Sequence, residues 1–169
     1  TPFNCEFCEK VDPFIEPEKI DPYGEQIVSQ AIAYKTTNML LGVVKKGTGW
    51  RARDVGHEVG AKTGTTNDFI DEWFMGFSAN LTVGVWVGFD TPANMGKNET
   101  GSKAAGPIWT EFMKNALKNE PMSPFPIPEG ITFVRIDANT GKLPTKKTKK
   151  TIIESFLVGT EPTNKQRKY

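Results

Sequence analysis

The fold of this chain is decided by the stretch from Gly60 to Asp90. It reads GAKTGTTNDFIDEWFMGF at residues 60–77 and, after Ser-Ala-Asn, LTVGVWVGFD at residues 81–90. In the last part every second residue is apolar, as in a strand with one face toward a core, and that face holds Leu81, Val83, Val85, Val87 and Phe89. Ala79-Asn80 is short enough for a hairpin connection. The stretch therefore predicts three strands, at residues 57–65, 72–78 and 81–89, with the last two antiparallel.

One helix is predicted before these strands in the sequence and one after them. Ser29 is a suitable N-cap for the first helix, which ends at Gly47-Thr48-Gly49. Pro107 opens the second helix at a position where proline is tolerated. Residues 50–57 are expected to form a polar connection. Because Gly84 and Gly88 lie on one face of the third strand, we expect a helix to pack against that face.

The C-terminal part is predicted to be rich in turns. Residues 121–128 are rich in proline, and residues 130–136 and 152–159 are expected to be extended. Residues 142–150 form a basic stretch between these two segments. The distribution of glycine and proline along the chain favours several short strands over a helical bundle.

Length and composition exclude several classes of protein. The chain has 169 residues, 37% of them hydrophobic and 24% charged, which is typical of a globular protein and not of a disordered one. No apolar run approaches the roughly 18 residues that a membrane-spanning helix needs. Residues 142–169 carry eight basic and two acidic side chains, against 13 basic and 18 acidic in residues 1–141. The basic excess therefore belongs to a solvated tail, and no aromatic residues are interleaved with residues 142–150 as nucleic-acid binding would require.

The sequence Lys62-Thr63-Gly64-Thr65 is the strongest candidate for chemistry. Side-chain alternation along a strand places the two threonines on one face and Lys62 on the other. Gly64 lets a substrate backbone approach, two hydroxyl groups are suited to a carboxylate, and a free backbone N–H on an edge strand is suited to an oxyanion hole. Alone, Lys-Thr-Gly is a weak signal, and a polar strand end is the simpler interpretation.

The whole stretch from residue 60 to residue 90 resembles the transpeptidase domain of class A penicillin-binding proteins, the bifunctional enzymes that build bacterial peptidoglycan. Three further segments agree, in the expected order: the helix end at Gly47-Thr48-Gly49, ETGSKAAGPIW at residues 99–109, and FLVGTEP at residues 156–162. Lys-Thr-Gly with Ser-x-x-Lys marks penicillin-binding proteins and class A β-lactamases. The resemblance implies an α+β fold, with an antiparallel sheet flanked by helices.

The resemblance also implies a mechanism. In the family, a serine attacks a D-Ala-D-Ala stem peptide, D-Ala leaves, and an amine of a neighbouring stem peptide accepts the acyl group. By match with the motif, Lys62 would support the hydrogen bonds and charge around that serine. Thr63 and Thr65 would hold the carboxylate of the substrate or β-lactam beside Gly64, and the Thr65 backbone N–H would be one donor of the oxyanion hole. No cofactor and no metal are implied.

The nucleophile is absent from this sequence. The chain has five serines, none followed three residues later by lysine: Ser29, Ser78, Ser102, Ser123 and Ser155. Ser78-Ala79-Asn80 fits the family's Ser-x-Asn motif literally but follows Lys-Thr-Gly instead of preceding it, so we interpret it as a turn. We expect an irregular segment at residues 1–25, the C-terminal half of a transpeptidase domain at 26–120, and a C-terminal extension with a basic tail at 121–169.

The resemblance further implies partners and a location. The parent protein would carry a glycosyltransferase domain and an N-terminal membrane anchor, and would act at the periplasmic face of the bacterial inner membrane. Its partners would be peptidoglycan stem peptides, β-lactam antibiotics and the remainder of the transpeptidase domain, in the same parent chain or a companion chain. Two alternatives stay open, namely a hydrolase of the D,D-carboxypeptidase or β-lactamase type and a non-catalytic envelope-binding module of the same fold.

Other candidate residues have simpler interpretations. Cys5 and Cys8 form Cys-x-x-Cys, which we expect to be a structural or incidental pair instead of a zinc half-site or a redox motif. His57 is the only histidine and is expected to face solvent at a strand start. A solvated acidic turn is expected at Asp68, Asp71 and Glu72, and packing roles are expected for Trp73, Trp86 and Trp109.

Overall fold

The computed structural model describes residues 26–96 and 99–163 of the chain. These residues form seven regular elements: α1 (Gln30–Lys46), β1 (Gly60–Thr65), β2 (Glu72–Phe77), β3 (Thr82–Val87), α2 (Ala105–Ala116), β4 (Ile131–Asp137) and β5 (Thr151–Leu157). One sheet has the strand order β1-β2-β3, the other pairs β4 with β5, and every pairing is antiparallel. The predicted α+β fold is confirmed. The segment 1–25, with Cys5 and Cys8, lies outside the described residues.

The two ends of α1 are set by the residues that the sequence indicated. The Ser29 hydroxyl accepts a hydrogen bond from the Ile32 N–H at 3.3 Å, so Ser29 is the N-cap. At the other end the Gly47 N–H donates to the Val43 carbonyl at 2.9 Å. A Cβ atom on Gly47 would lie 2.9 Å from that same carbonyl oxygen, so this close turn requires glycine.

Residues 50–57 were expected to form a polar connection, and this prediction is wrong for most of the segment. Trp50–Val55 forms a short 3-10 helix, and Ala52 and Val55 are buried in the core. The two residues are three positions apart, which is the repeat of a 3-10 helix, and they therefore point to the same side. The first strand accordingly begins at Gly60 and not at His57, which is half-buried.

The main core lies between the first sheet and α2. Trp109 of α2 is fully buried, with its ring 5.1 Å from that of Phe74, and its Nε1–H donates to the Val83 carbonyl at 3.0 Å. A Cβ atom on Gly76 would lie 2.4 Å from the Trp109 ring. Glycine at this position of β2 therefore allows the indole to lie directly on the sheet.

The expectation that a helix packs against Gly84 and Gly88 is wrong. Both glycines lie on the opposite face of β3, away from Trp109. A Cβ atom on Gly84 would lie 2.4 Å from the Met75 sulfur, and one on Gly88 would lie 2.5 Å from the Trp86 ring. The space beside these glycines is filled by side chains of the sheet itself, because large residues stand next to them on that face.

The β4–β5 hairpin packs against α1 through polar contacts. The Asn38 amide donates to the Glu154 carboxylate and to the hydroxyl of the buried Ser155, both at 2.7 Å. The Lys35 ammonium donates to the Ser155 carbonyl. These contacts satisfy a serine that would otherwise be buried without a partner, and they fix the hairpin on the helix.

Candidate active site

The predicted motif lies on an outer strand of the first sheet. Among residues 26–96 and 99–163, β1 pairs with β2 on one side and with no strand on the other. Just beyond β1, the Thr66 N–H donates to the Asp71 carbonyl at 3.0 Å. Because backbone groups of an antiparallel strand alternate in direction, the N–H and C=O groups of Thr65 and Thr63 point away from β2. The free edge of β1 therefore presents backbone donors and acceptors at the motif.

The motif's side chains reach this edge from both faces of the sheet. Lys62 is opposite Met75 in the register, whereas Thr63 and Thr65 are opposite Phe74 and Glu72, so the predicted alternation is confirmed. The Lys62 ammonium nevertheless donates to the carbonyl oxygen of Thr63 at 2.6 Å. The lysine side chain thus bends around the strand edge, which alternation along one strand does not reveal.

Thr48 joins the motif from the turn after α1. Its hydroxyl oxygen lies 3.0 Å from that of Thr63, and either hydroxyl can be the donor. The turn is held by the N–H groups of Gly47 and Gly49, which both bond to the Val43 carbonyl, at 2.9 and 3.2 Å. Thr48 is exposed. In the sequence, Gly47-Thr48-Gly49 is a helix end and one of the segments that carry the family resemblance, but Thr48 was not predicted to be a member of the site.

Thr65 is exposed at the end of β1, but its hydroxyl group makes two partly buried hydrogen bonds within the protein. It donates to the Glu72 carboxylate at 2.7 Å and accepts from the Gly101 N–H at 3.2 Å. A Cβ atom on Gly101 would lie 2.2 Å from the Trp73 carbonyl oxygen and 2.6 Å from that of Gly64, so only glycine lets this loop lie so close to the sheet. The loop from residue 99 onward is thereby attached to the end of β1.

The expectation of a solvated turn is wrong for Glu72. Its side chain has no exposed surface, and its second carboxylate oxygen, Oε1, has no hydrogen-bond partner among the described residues. The reason is the period of two in β2, since Glu72, Phe74 and Gly76 share the buried face. The parity of Glu72 with Phe74 is the sequence signal that reveals this burial.

The remaining candidates lie away from the motif or have structural roles. The Ser78 hydroxyl accepts from the N–H groups of Asn80 and Leu81 at 3.3 and 3.1 Å, which confirms that Ser78-Ala79-Asn80 is a turn. Phe77 pairs with Gly60, so this turn lies at the end of the sheet opposite Thr65. Trp109 packs as predicted, whereas Trp73 and Trp86 are 43% and 45% exposed, on the face of Lys62.

Residues 26–96 and 99–163 contain neither a candidate metal site nor a candidate membrane span. No group of three or more His, Cys, Asp or Glu side chains there could hold a metal ion. In the same described part, no helix is long and apolar enough to cross a membrane.

Two protein families match this chain. The penicillin binding protein transpeptidase domain matches residues 8–114, and the C-terminal domain of penicillin-binding protein 1A matches residues 127–169. Penicillin-binding protein 1A from Rickettsia conorii is 41% identical over 136 residues, which cover 80% of this chain and 17% of that protein. The protein of that name from Pseudomonas aeruginosa is 44% identical over 120 residues, covering 70% of this chain and 15% of that protein.

A solved structure agrees with these relatives. The crystal structure of penicillin-binding protein 1A from Haemophilus influenzae matches with a TM-score of 0.76 and 33% identity. The match covers 85% of this chain and 22% of that one, so the chain spans about a fifth of the length of its relatives. With the Lys-Thr-Gly strand, its neighbouring strands and α2 in the arrangement described, the chain belongs to the family of penicillin-binding protein transpeptidase domains.

Proposed function

We propose that this chain forms part of a D,D-transpeptidase that cross-links peptidoglycan stem peptides through an acyl-serine intermediate, with the serine outside this chain. The free edge of β1 is the observation that carries the proposal. The Lys62 ammonium, the hydroxyl pair of Thr48 and Thr63, and the Thr65 N–H all lie along this edge. A cation and several hydrogen-bond donors on one strand edge suit a substrate that carries a carboxylate and develops an oxyanion.

Each group of the edge has a role in the proposed reaction. The serine hydroxyl gives up its proton as its oxygen bonds to the carbonyl carbon of the penultimate D-Ala, the peptide C–N bond breaks, and that proton passes to the nitrogen of the departing D-Ala. The acceptor amine then displaces the serine oxygen, and a proton of the amine passes to that oxygen. The Thr65 N–H donates to the oxyanion in both steps, and Lys62 supports the serine electrostatically. Gly64 leaves room for the substrate backbone.

The wider setting of the proposed enzyme is also a proposal, which we base on the family. We place the parent protein at the periplasmic face of the inner membrane, with a membrane anchor and a glycosyltransferase domain outside this chain. β-Lactams would acylate the same serine. The remainder of the transpeptidase domain, in the parent chain or in a companion chain, is the partner that completes the site. The relatives named penicillin-binding protein 1A support this setting.

The proposal is tested with a chimera, in which residues 26–163 of this chain replace the matching segment of the Rickettsia conorii protein. We expect a fluorescent penicillin to label the chimera through a bond that survives denaturation. Lys62→Ala should abolish the label, while Lys146→Ala, which removes an exposed lysine from the basic stretch, should not. Incubation with a D-Ala-D-Ala peptide and an amine acceptor should give the cross-linked product.

Each alternative function has its own outcome in this experiment. Release of D-Ala with only hydrolysed peptide would indicate a carboxypeptidase. A folded chimera without label, beside a labelled Rickettsia conorii protein, would indicate a non-catalytic module. Label on the isolated chain would show that the nucleophile lies within it and would contradict the proposal.

A further inference from the structure

We infer that in this chain the hydroxyl pair of Thr48 and Thr63 anchors the substrate carboxylate, and that Glu72 holds the Thr65 hydroxyl out of this role. The inference rests on the proposed transpeptidase function. It differs from what the motif alone implies, which is that the hydroxyl groups of Thr63 and Thr65 share the carboxylate. It adds Thr48 as a binding residue and Glu72 as a positioning residue.

The Thr65 hydroxyl has no proton left for a substrate. A hydroxyl group has one donor, and that of Thr65 is given to the Glu72 carboxylate at 2.7 Å. Glu72 is fully buried, and this is the one hydrogen bond that its side chain receives among the described residues. Withdrawing it would leave a buried carboxylate without any donor, which is costly. The Gly101 N–H also occupies an acceptor site of the same hydroxyl.

The hydroxyl pair of Thr48 and Thr63 always has a proton to give. The two oxygens are 3.0 Å apart, so one hydroxyl donates to the other. Whichever donates, the proton of the second hydroxyl stays free for an external acceptor. Donation within the pair also polarises that second hydroxyl, which strengthens its bond to an anion. Thr48 is exposed and Thr63 is half-buried, so the pair is open to a ligand.

A positive charge and a fixed turn complete this anion site. The Lys62 ammonium donates a hydrogen bond to the carbonyl oxygen of Thr63, and the hydroxyl group of Thr63 is one of the pair. Hydrogen bonds to an ionised group such as a carboxylate are about twice as strong as those between neutral groups. The two glycine N–H groups that bond to the Val43 carbonyl hold Thr48 in place before a ligand arrives. Less conformational freedom is then lost on binding.

The test compares two probes that differ only in the carboxylate. A penicillin with its free carboxylate and the methyl ester of the same penicillin are reacted with the chimera described above, and the second-order acylation rate constants are measured. The unaltered chimera should prefer the acid. Thr48→Val and Thr63→Val should each lower the rate for the acid about tenfold or more, the effect of losing a hydrogen bond to a charged group. The rate for the ester should fall by a smaller factor, because the ester carbonyl accepts only a neutral hydrogen bond, so the acid-to-ester ratio should fall.

Thr65→Val should change both rates by the same factor and thereby keep the acid-to-ester ratio. A merely structural effect of any variant would also lower both rates together, so the ratio separates binding from folding. Thr82→Val, a matched change of an exposed threonine at the far end of β3, is the control. Adding Glu72→Ala to Thr48→Val should recover part of the ratio, because the Thr65 hydroxyl is then released.

The outcomes distinguish this inference from the function on which it rests. A ratio that collapses in Thr65→Val and persists in Thr48→Val would overturn the inference alone. Absence of acylation by either probe, with the Rickettsia conorii protein reacting normally, would overturn the proposed function as well.

Discussion

Glu72 buries a carboxylate on the covered face of the first sheet, and one of its oxygens has no hydrogen-bond partner in the part of the chain that the structure describes. The Thr65 hydroxyl bonds to the other oxygen. Such a group loses its hydration on folding and recovers only part of that free energy from a single donor. The pair therefore links the end of β1 to the end of β2 at a cost in stability, as residues that position a site often do.

Removal of the Thr65 hydroxyl should destabilise the fold through Glu72. We expect Thr65→Val to lower the free energy of unfolding by about 1–3 kcal/mol, the penalty for a buried group left without its partner. Thr65→Ser keeps the donor and should cost less. Glu72→Leu added to Thr65→Val should restore most of the loss, since no unpaired carboxylate remains. Urea unfolding, followed by far-UV circular dichroism, measures these changes.

The control for this cycle is Thr82→Val on the exposed end of β3. It makes the same chemical change without a buried partner and should stay within about 0.5 kcal/mol of the unaltered chain. Equal losses in Thr65→Val and Thr82→Val would contradict the argument.

At the residue scale, the sequence predicts on which face of a strand a side chain lies, but not the group to which it bonds. Period-two alternation places Lys62 and Thr63 correctly on opposite faces, because it depends on one strand only. The bond from Thr65 to Glu72 depends on the register of two strands, and the one from Gly101 depends on a loop that returns 36 residues later. The meeting of Thr48 with Thr63 likewise follows from how α1 approaches β1. No local pattern contains these distances.

The closest contact described between α2 and the first sheet is that of the Trp109 indole ring with Gly76. Trp109 is buried, is hydrogen-bonded to the Val83 carbonyl, and lies so close to Gly76 that a Cβ atom would be 2.4 Å from its ring. The ring is fixed by that bond and by Phe74, so it has little freedom to move aside. The position of α2 over the sheet thus depends on the absence of one methyl group.

Gly76→Ala should therefore destabilise the chain. We expect a loss of about 1–3 kcal/mol, the usual cost of overpacking a core, in the free energy of unfolding measured in urea. Gly42→Ala is the matched control, because Gly42 lies within α1 and a Cβ atom there meets nothing within 4 Å. That change should stabilise the chain by up to about 1 kcal/mol, through helix propensity. If the free energy of unfolding changes in the same direction for both variants, the contact with Trp109 is not what requires glycine at position 76.

At the element scale, local sequence signals predict where a helix begins and ends better than they predict which face of a strand a helix covers. Ser29 and Gly47 end α1 as expected, because capping depends on a few neighbouring residues. The face of β3 that receives α2 was predicted wrongly from Gly84 and Gly88. A glycine shows that something lies close to the strand, but not whether it is a helix or the side chain of the next strand. The 3-10 helix after α1 was missed because its short apolar spacing resembles a loop.

Within the described ranges, the first sheet has one face covered by a helix and one face left open. α2 covers the face of Phe74, whereas the opposite face carries Trp73, Met75 and Trp86, each between 43% and 45% exposed. Three large apolar side chains side by side are typical of a surface that contacts another protein segment. The composition of the chain, which is that of an ordinary globular protein, gives no sign of this open face.

The open face should make the isolated chain associate with its own copies. We expect Met75→Thr, which removes apolar surface from the centre of this face, to lower the fraction of associated chain in sedimentation-velocity runs over a series of concentrations. Met122→Thr is the matched control, because Met122 is 73% exposed but lies in the proline-rich segment away from the sheet. If both variants reduce association equally, general surface hydrophobicity drives it, and the first sheet has no particular role. A decrease with Met75→Thr alone would identify the face of Lys62 as the surface through which copies of the chain associate.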